Sequence, residues 1–326
     1  MRIIIQKEYK YNNRKPCVLI VVALGGNAFA REGGKVGLPE EQIERVKLAA
    51  NDIADLIEEG FDVVVTHGNG PQAGLLAEKV GDYLSLDMID AATEGWMGYL
   101  IANALTNEFD RRGIRRRPVV VITRVIVDKN DQAFQNPTKF IGPVYDKEKA
   151  DVLAKEKGWV FKWDVRGGYR RVVPSPEPRG IMDIELVKLL LREGFVPITV
   201  GGGGIPVTTN DEVHGVEAVI DKDMASQVLA NVINADYMLI LTDTDYVYLN
   251  YKKSNQRRLM EITVGEAEKY YNEGQFPPGS MGPKILAAIR FLKNGGKAAY
   301  IGKLGRARFI VKGLEGTKIV KDINDR

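Results

Sequence analysis

Four short apolar runs, residues 18–24, 63–66, 196–200 and 238–241, each end in glycine or small polar residues. The first runs into Gly25-Gly26-Asn27 and the second into His67-Gly68-Asn69-Gly70-Pro71-Gln72. The third ends in four glycines at 201–204, the fourth in Thr242-Asp243-Thr244-Asp245. A helix-like stretch at 40–59, stopped by Gly60, separates the first two, and strand, helix, strand in that order reads as a parallel βαβ unit. The expected fold is α/β, a three-layer, open and mainly parallel sheet between helices. Ligands of such sheets gather at the carboxyl ends of the strands, so the four loops are expected to converge on one crevice. Any one of them reads as a tight turn. Together they point to an anionic substrate, because glycine lets backbone N–H groups come close to an anion.

The fourth run belongs to a longer unit, 219–248. It opens with Asp221-Lys222-Asp223 and continues with Met224, Val228, Leu229, Val232 and Ile233 at helical spacing. A lysine between two aspartates at a helix start suits a phosphate with a divalent metal nearby, although aspartates there also serve as plain helix caps. Lys284 follows Gly279-Ser280-Met281-Gly282-Pro283 at the start of a helix expected at 285–293, where the dipole disfavours a cation unless an anion compensates. Neither G-x-x-x-x-G-K-[ST] nor a G-x-G-x-x-G after the first strand occurs, so cations for a phosphate must come from elsewhere. Lys139, Lys222 and Lys284 are the candidates. His67 reads as structural or orienting, since phosphoryl transfer to a carboxylate-type oxygen removes no proton from the nucleophile.

Further helices are expected at 87–109, 183–193 and 265–273, and strands at 119–123 and 298–301. The helix at 87–109 carries a face of small and apolar residues, suited to sheet packing or a subunit interface. Residues 128–177, rich in proline and aromatics with a hairpin turn at Gly167-Gly168, read as an insertion that forms a lid. Residues 1–16 read as a polar, basic tail. A net charge of +3 offers no field for nucleic acid, and the arginines at 111–117 fit a helix end. A single cysteine, Cys17, excludes an intramolecular disulfide, and with two histidines it argues against zinc, so any metal should be hard and oxygen-bound. No apolar stretch approaches the ~18 residues of a membrane span, and a cytoplasmic location is expected.

In these motifs the chain resembles the amino acid kinase family, and within it the carbamate kinase branch. The resemblance rests on the following stretches, in family order: Ala23-Leu24-Gly25-Gly26-Asn27-Ala28, the run from Val65 to Gln72, Pro137-Thr138-Lys139 with Ile141-Gly142-Pro143, Arg171 to Pro178, the four glycines with Ile205-Pro206-Val207, Val216 to Asp223, Leu241-Thr242-Asp243, and Gly279 to Lys284. It implies a single domain over 17–326, with an acceptor lobe at 17–206 that includes the lid at about 128–178 and a nucleotide lobe at 207–326. It also implies a homodimer, and reversible phosphoryl transfer between ATP and carbamate, giving ADP and carbamoyl phosphate. Some family members carry a lysine where this chain has Ala23, so Lys222 is the natural replacement. The implied roles place Lys222 and Lys284 on the phosphoryl oxygens and Lys139 on the transferred group. Asp223 orients the two core lysines, and Mg2+ is held mainly by ATP phosphates and water, with Asp221 or Asp223 as a protein contributor. Gly25, Gly26, Asn27, Gly68, Asn69, Gly70, Gly202 and Gly203 hold the acceptor. Thr242, Asp243, Asp245, Tyr248, Ser280, Met281, Gly282 and Pro283 line the ATP/ADP pocket. Rival readings are an amino-acid kinase of the same fold and a catalytically dead nucleotide-binding protein; a nucleic-acid role is the weakest.

Overall fold

The computed structural model describes residues 18–26, 36–164 and 167–322. The tail at 1–16, Cys17 and Asn27 lie outside the described residues. An eight-stranded sheet forms the middle layer, in the order Glu261–Thr263, Thr317–Val320, Ala298–Lys303, Tyr237–Thr242, Leu19–Leu24, Asp62–His67, Val196–Ile198, Pro118–Val120. Every neighbouring pair is parallel except Ala298–Lys303 with Thr317–Val320. Leu19–Leu24 is central because it is an unbroken apolar run, and Ile20 to Leu24 are all 0% exposed, as a strand covered on both faces requires.

Its residues alternate between two cores. Ile20, Val22 and Leu24 pack with Val46, Ile53, Met97, Ile101 and Phe109 of helices Pro39–Glu58 and Leu86–Arg112. Val21 and Ala23 face Met224, Leu229, Ile285 and Ile289 of helices Lys222–Val232 and Met281–Lys293. Leu24 pairs with His67 on one side and Leu241 on the other, so three strands end level. The two sides of Leu19–Leu24 are filled by separate parts of the chain, which makes its carboxyl end a topological switch point and opens a crevice there.

Several boundaries differ from expectation. The strand expected at 119–123 stops at Val120, and Arg124–Val127 turns into a second, four-stranded sheet with Ile205–Thr208, His214–Gly215 and Pro178–Ile181. The turn is fixed by Thr123, whose Oγ1 donates to Val121 O at 2.9 Å. The helix expected from 285 starts at Met281, with Pro283 in a first turn where a missing N–H costs nothing. Gly70–Val80, whose first three residues read as the tail of a loop, is a helix that carries Pro71 in its first turn in the same way. The polar stretch at 252–258 ends in a strand, Arg257–Leu259, paired with Val247–Leu249. The insertion holds a three-stranded sheet of Lys139–Tyr145, Gly168–Val173 and Val160–Asp164, and a helix, Lys147–Lys157.

Candidate active site

Two aspartates hold the three candidate lysines at the start of helix Lys222–Val232. Asp221 is its N-cap: Oδ1 accepts from the N–H groups of Asp223 at 2.9 Å and Met224 at 3.4 Å, while Oδ2 accepts from Lys139 Nζ at 2.7 Å. Asp223, 3% exposed, accepts from Lys222 Nζ on Oδ1 at 2.6 Å and from Lys284 Nζ on Oδ2 at 3.0 Å. The anion that offsets the unfavourable placement of Lys284 in a first helical turn is therefore Asp223. Burial works to raise the Asp223 carboxyl, but the ammoniums of Lys222 and Lys284 outweigh it and hold the group far below the usual carboxylate range. Burial lowers the Lys222 ammonium, and the neighbouring Lys284 charge adds to that against the pull of Asp223. On Lys284 burial again acts to lower the ammonium, but Asp223, with Asp221 and Asp243, outweighs it and raises the group. Three ammoniums are thus gathered on two carboxylates, with Asp243 also acting on Lys284, which concentrates positive charge beside the strand ends.

The glycine loops stand directly against this cluster. A Cβ on Gly68 would lie 2.6 Å from Gly26 N and 3.2 Å from Lys222 Cδ, so the two loops come this close only because position 68 is glycine. Gly68 N donates to Leu24 O at 2.9 Å and Gly25 N to Leu241 O at 2.8 Å, lacing the loops to the strand ends. Thr66 and Ser226 share a hydrogen bond of 2.6 Å, and Ser226 Oγ donates to Lys222 O at 2.6 Å, tying the acceptor strand to the lysine helix.

Asn69 turns its side chain inward, donating to Thr93 Oγ1 at 2.7 Å and to Asp90 Oδ1 at 3.4 Å. Gly202 and Gly203, at φ 70° and 108°, form a wall behind it. A Cβ on Gly202 would overlap the Asn69 amide, and one on Gly203 would meet the carbonyl of Ile220, just before Asp221. Gly70 is exposed. His67 is 1% exposed, and burial, helped by the Lys222 charge, brings its imidazole down to about 4, so it is neutral at neutral pH.

On the other side of the lysines the candidate nucleotide residues are more open. Thr242 is buried, Asp243, Asp245 and Ser280 are exposed, Tyr248, Met281 and Pro283 are half-buried, and Gly282 is buried. Thr242 Oγ1 donates to Asp243 Oδ1 at 3.0 Å and Tyr248 Oη to Asp245 Oδ1 at 2.8 Å. Asp243 acts on the charge of Lys284, which places the stretch after Tyr237–Thr242 beside the start of helix Met281–Lys293.

Sequence reasoning passed over the polar groups of helix Leu86–Arg112. Asp90, Thr93 and Glu94 are all buried, and Glu94 accepts from Gly201 N at 2.8 Å and Thr123 N at 3.0 Å. Burial drives the Asp90 carboxyl well up and that of Glu94 to about 8. Their one signal was polarity within an otherwise small and apolar helical face. Both amide atoms of the buried Gln72, and Asp90 Oδ2, have no hydrogen-bond partner.

The family model for the amino acid kinase family matches residues 18–303, and the chain belongs to that family. Within it, the chain is 50% identical over 309 residues to the carbamate kinase of Pyrococcus horikoshii, covering 92% of this chain and 98% of that protein. It is 45% identical to the carbamate kinase of Clostridium perfringens, over 93% of this chain and 99% of that protein. The structure of carbamate kinase from Giardia lamblia bound to AMP-PNP superposes with a TM-score of 0.85 at 38% identity, covering 94% of this chain and 99% of the other.

Proposed function

We propose that this chain transfers the γ-phosphoryl group reversibly between ATP and carbamate, with magnesium, giving ADP and carbamoyl phosphate. The observation that carries the reading is the cluster of Lys139, Lys222 and Lys284 on Asp221 and Asp223, set against Gly26 and Gly68 where three strands end level. Relatives named carbamate kinase along more than nine-tenths of the chain support it.

Carbamate, the phosphoryl group and the departing diphosphate are all anionic, so the chief task is to hold negative charges in line. A carbamate oxygen forms the bond to phosphorus while the bond to the bridging oxygen of ADP breaks and its electron pair leaves with ADP. Lys222 and Lys284, already steered by Asp223, take phosphoryl oxygens, and Lys139 leaves Asp221 for the transferred group. Backbone N–H groups of Gly26, Asn69 and Gly70 hold carbamate, since those of Gly25 and Gly68 already donate to Leu241 and Leu24. The neutral His67 takes no proton in this scheme. Thr242, Asp243, Asp245, Tyr248 and the turn at 280–283 hold the nucleotide.

Among the described residues no cluster of three His, Cys, Asp or Glu side chains is placed to hold a metal. Three of the four oxygens of Asp221 and Asp223 already accept from lysine ammoniums, and the fourth caps the helix. This donor set fits an ion carried by the phosphates and water, with these carboxylates reaching it through water. Magnesium, when bound, neutralises charge on the phosphates. The same reading assigns 17–206 to the acceptor and 207–326 to the nucleotide, makes the insertion a lid, and pairs two copies as a homodimer, which light scattering tests. Among the described residues no helix is long and apolar enough to cross a membrane. The deciding assay is ATP formation from carbamoyl phosphate, ADP and magnesium: rapid synthesis supports the reading, and none from folded protein overturns it.

A further inference from the structure

Glu94 lies inside helix Leu86–Arg112, 1% exposed, with its carboxyl between the turns that follow two sheet strands. Oε1 accepts from Gly201 N, after Val196–Ile198, at 2.8 Å, and Oε2 from Thr123 N, after Pro118–Val120, at 3.0 Å. The two turns are also joined directly, since Thr123 Oγ1 accepts from Val200 N at 3.0 Å and shares a hydrogen bond of 2.6 Å with Thr199 Oγ1. Gly201 also rests on the His67 ring, where a Cβ would overlap the imidazole and come 2.9 Å from Glu94 Cγ. The next residue, Gly202, rests on the Asn69 amide. Glu94, the glycine turn and the loop from His67 to Asn69 thus form one packed stack.

A buried carboxyl is costly, and the groups that act on its charge are the N–H donors, the Thr123 hydroxyl and Asp183, another carboxylate. An apolar side chain would fill the space at lower cost. What only the ionised carboxylate, the form present above about pH 8, supplies is two acceptors aimed at two backbone N–H groups. We propose that Glu94 is a positioning residue of the acceptor site: by fixing the turn at 201–204 against His67 and Asn69, it sets the position of the loop that holds carbamate. The kinetic part of this proposal rests on the carbamate reading above.

Two variants and two readouts test it. Glu94→Gln keeps one acceptor oxygen and turns an N–H2 toward the other donor, whereas Glu94→Leu keeps the bulk and neither acceptor. At about pH 9, where the carboxyl is ionised, the KM for carbamoyl phosphate should rise about tenfold or more in Glu94→Gln, and further in Glu94→Leu, with the KM for ADP unchanged. Amide hydrogen exchange should quicken in peptides covering 66–70 and 199–204 and stay as in wild type at 279–284. A folded variant with wild-type KM for carbamoyl phosphate, or with both KM values raised together, overturns the proposal. Should the wild type make no ATP, the carbamate reading fails by itself and exchange alone judges Glu94, with unchanged exchange at 66–70 overturning its role.

Discussion

The two walls on either side of the lysine cluster are built differently. The proposed acceptor wall is buried from Thr66 to Asn69 and at the turn at 201–203, with Gly26 half-buried and Gly70 exposed at its edge, and its side chains bond to other interior groups such as Ser226, Thr93 and Asp90. The nucleotide wall exposes Asp243, Asp245 and Ser280, and the side-chain bonds of Thr242 and Tyr248 run to near neighbours in sequence. On the function proposed above, the difference follows from ligand size. Carbamate offers only a few atoms, so its site must be shaped by packing fixed before it arrives. A nucleotide offers many contacts and tolerates a looser, wetter surface. The lysines between the walls belong to neither, which makes the comparison open to test one wall at a time.

The largest effect is expected in the middle. Lys284→Ala removes one of the two ammoniums on Asp223 and should lower kcat by ~10²-fold or more while the protein still folds, as loss of a charge-stabilising group does elsewhere. Steady-state kinetics in the ATP-forming direction, with circular dichroism as a folding check, measure this. Turnover close to wild type would remove Lys284 from the chemistry and leave the cluster a structural ion pair.

Next comes the acceptor wall. Gly202→Ala places a methyl group into the Asn69 amide at a φ of 70°, where a side chain is strained as well. The KM for carbamoyl phosphate should rise about tenfold or more, since a strain of ~1.4 kcal/mol or above in the acceptor loop is tenfold in affinity. The KM for ADP should not move. A parallel rise in both constants would mean that the walls are mechanically one.

The same contrast explains what could be read in the sequence. The sheet was legible because its central strands are continuous apolar runs ended by glycine or small polar residues, and burial on both faces leaves no other pattern available. Asp221, Lys222 and Asp223 stood out as charges at a helix start, and Lys284 as a cation in the wrong place for a dipole. The split at Thr123 was not legible, because a strand that changes sheet keeps its apolar character through Val125 and Val127. The start of helix Gly70–Val80 was hidden by Gly70-Pro71, which signals a turn and an N-terminus equally well. Glu94 was hidden because its partners are backbone N–H groups far away in the chain, which have no residue type of their own.

Another effect concerns pH and lies within the acceptor wall. Glu94, raised from 4.5 to about 8, keeps in the folded chain a proton that the unfolded chain releases, so stability falls as pH rises through that window. His67, lowered from 6.5 to about 4, acts the other way, adding stability as pH rises from about 4 to 6.5. Glu94→Gln removes the first contribution and leaves the second. Relative to wild type, the variant should therefore gain on the order of a few kcal/mol between pH 5 and pH 8, read from urea midpoints. Midpoint curves that stay parallel would mean that Glu94 is ionised throughout.

The smallest effect is expected on the nucleotide wall. Tyr248→Phe deletes a hydroxyl that donates to the exposed Asp245 and disturbs no packing, because the half-buried ring remains. An exposed bond of this kind contributes about 0.5 kcal/mol, the low end for hydrogen bonds, so the KM for ADP should change about twofold, with kcat and the KM for carbamoyl phosphate as in wild type. The size of the change matters less than where it appears. If so slight a change on the open wall shifted the acceptor constant, the lysine cluster would be transmitting strain between the sites, and independent walls would have to be abandoned. If it shifts only ADP, the nucleotide is held by many weak contacts, any one of which can be lost, while the acceptor depends on a few that cannot.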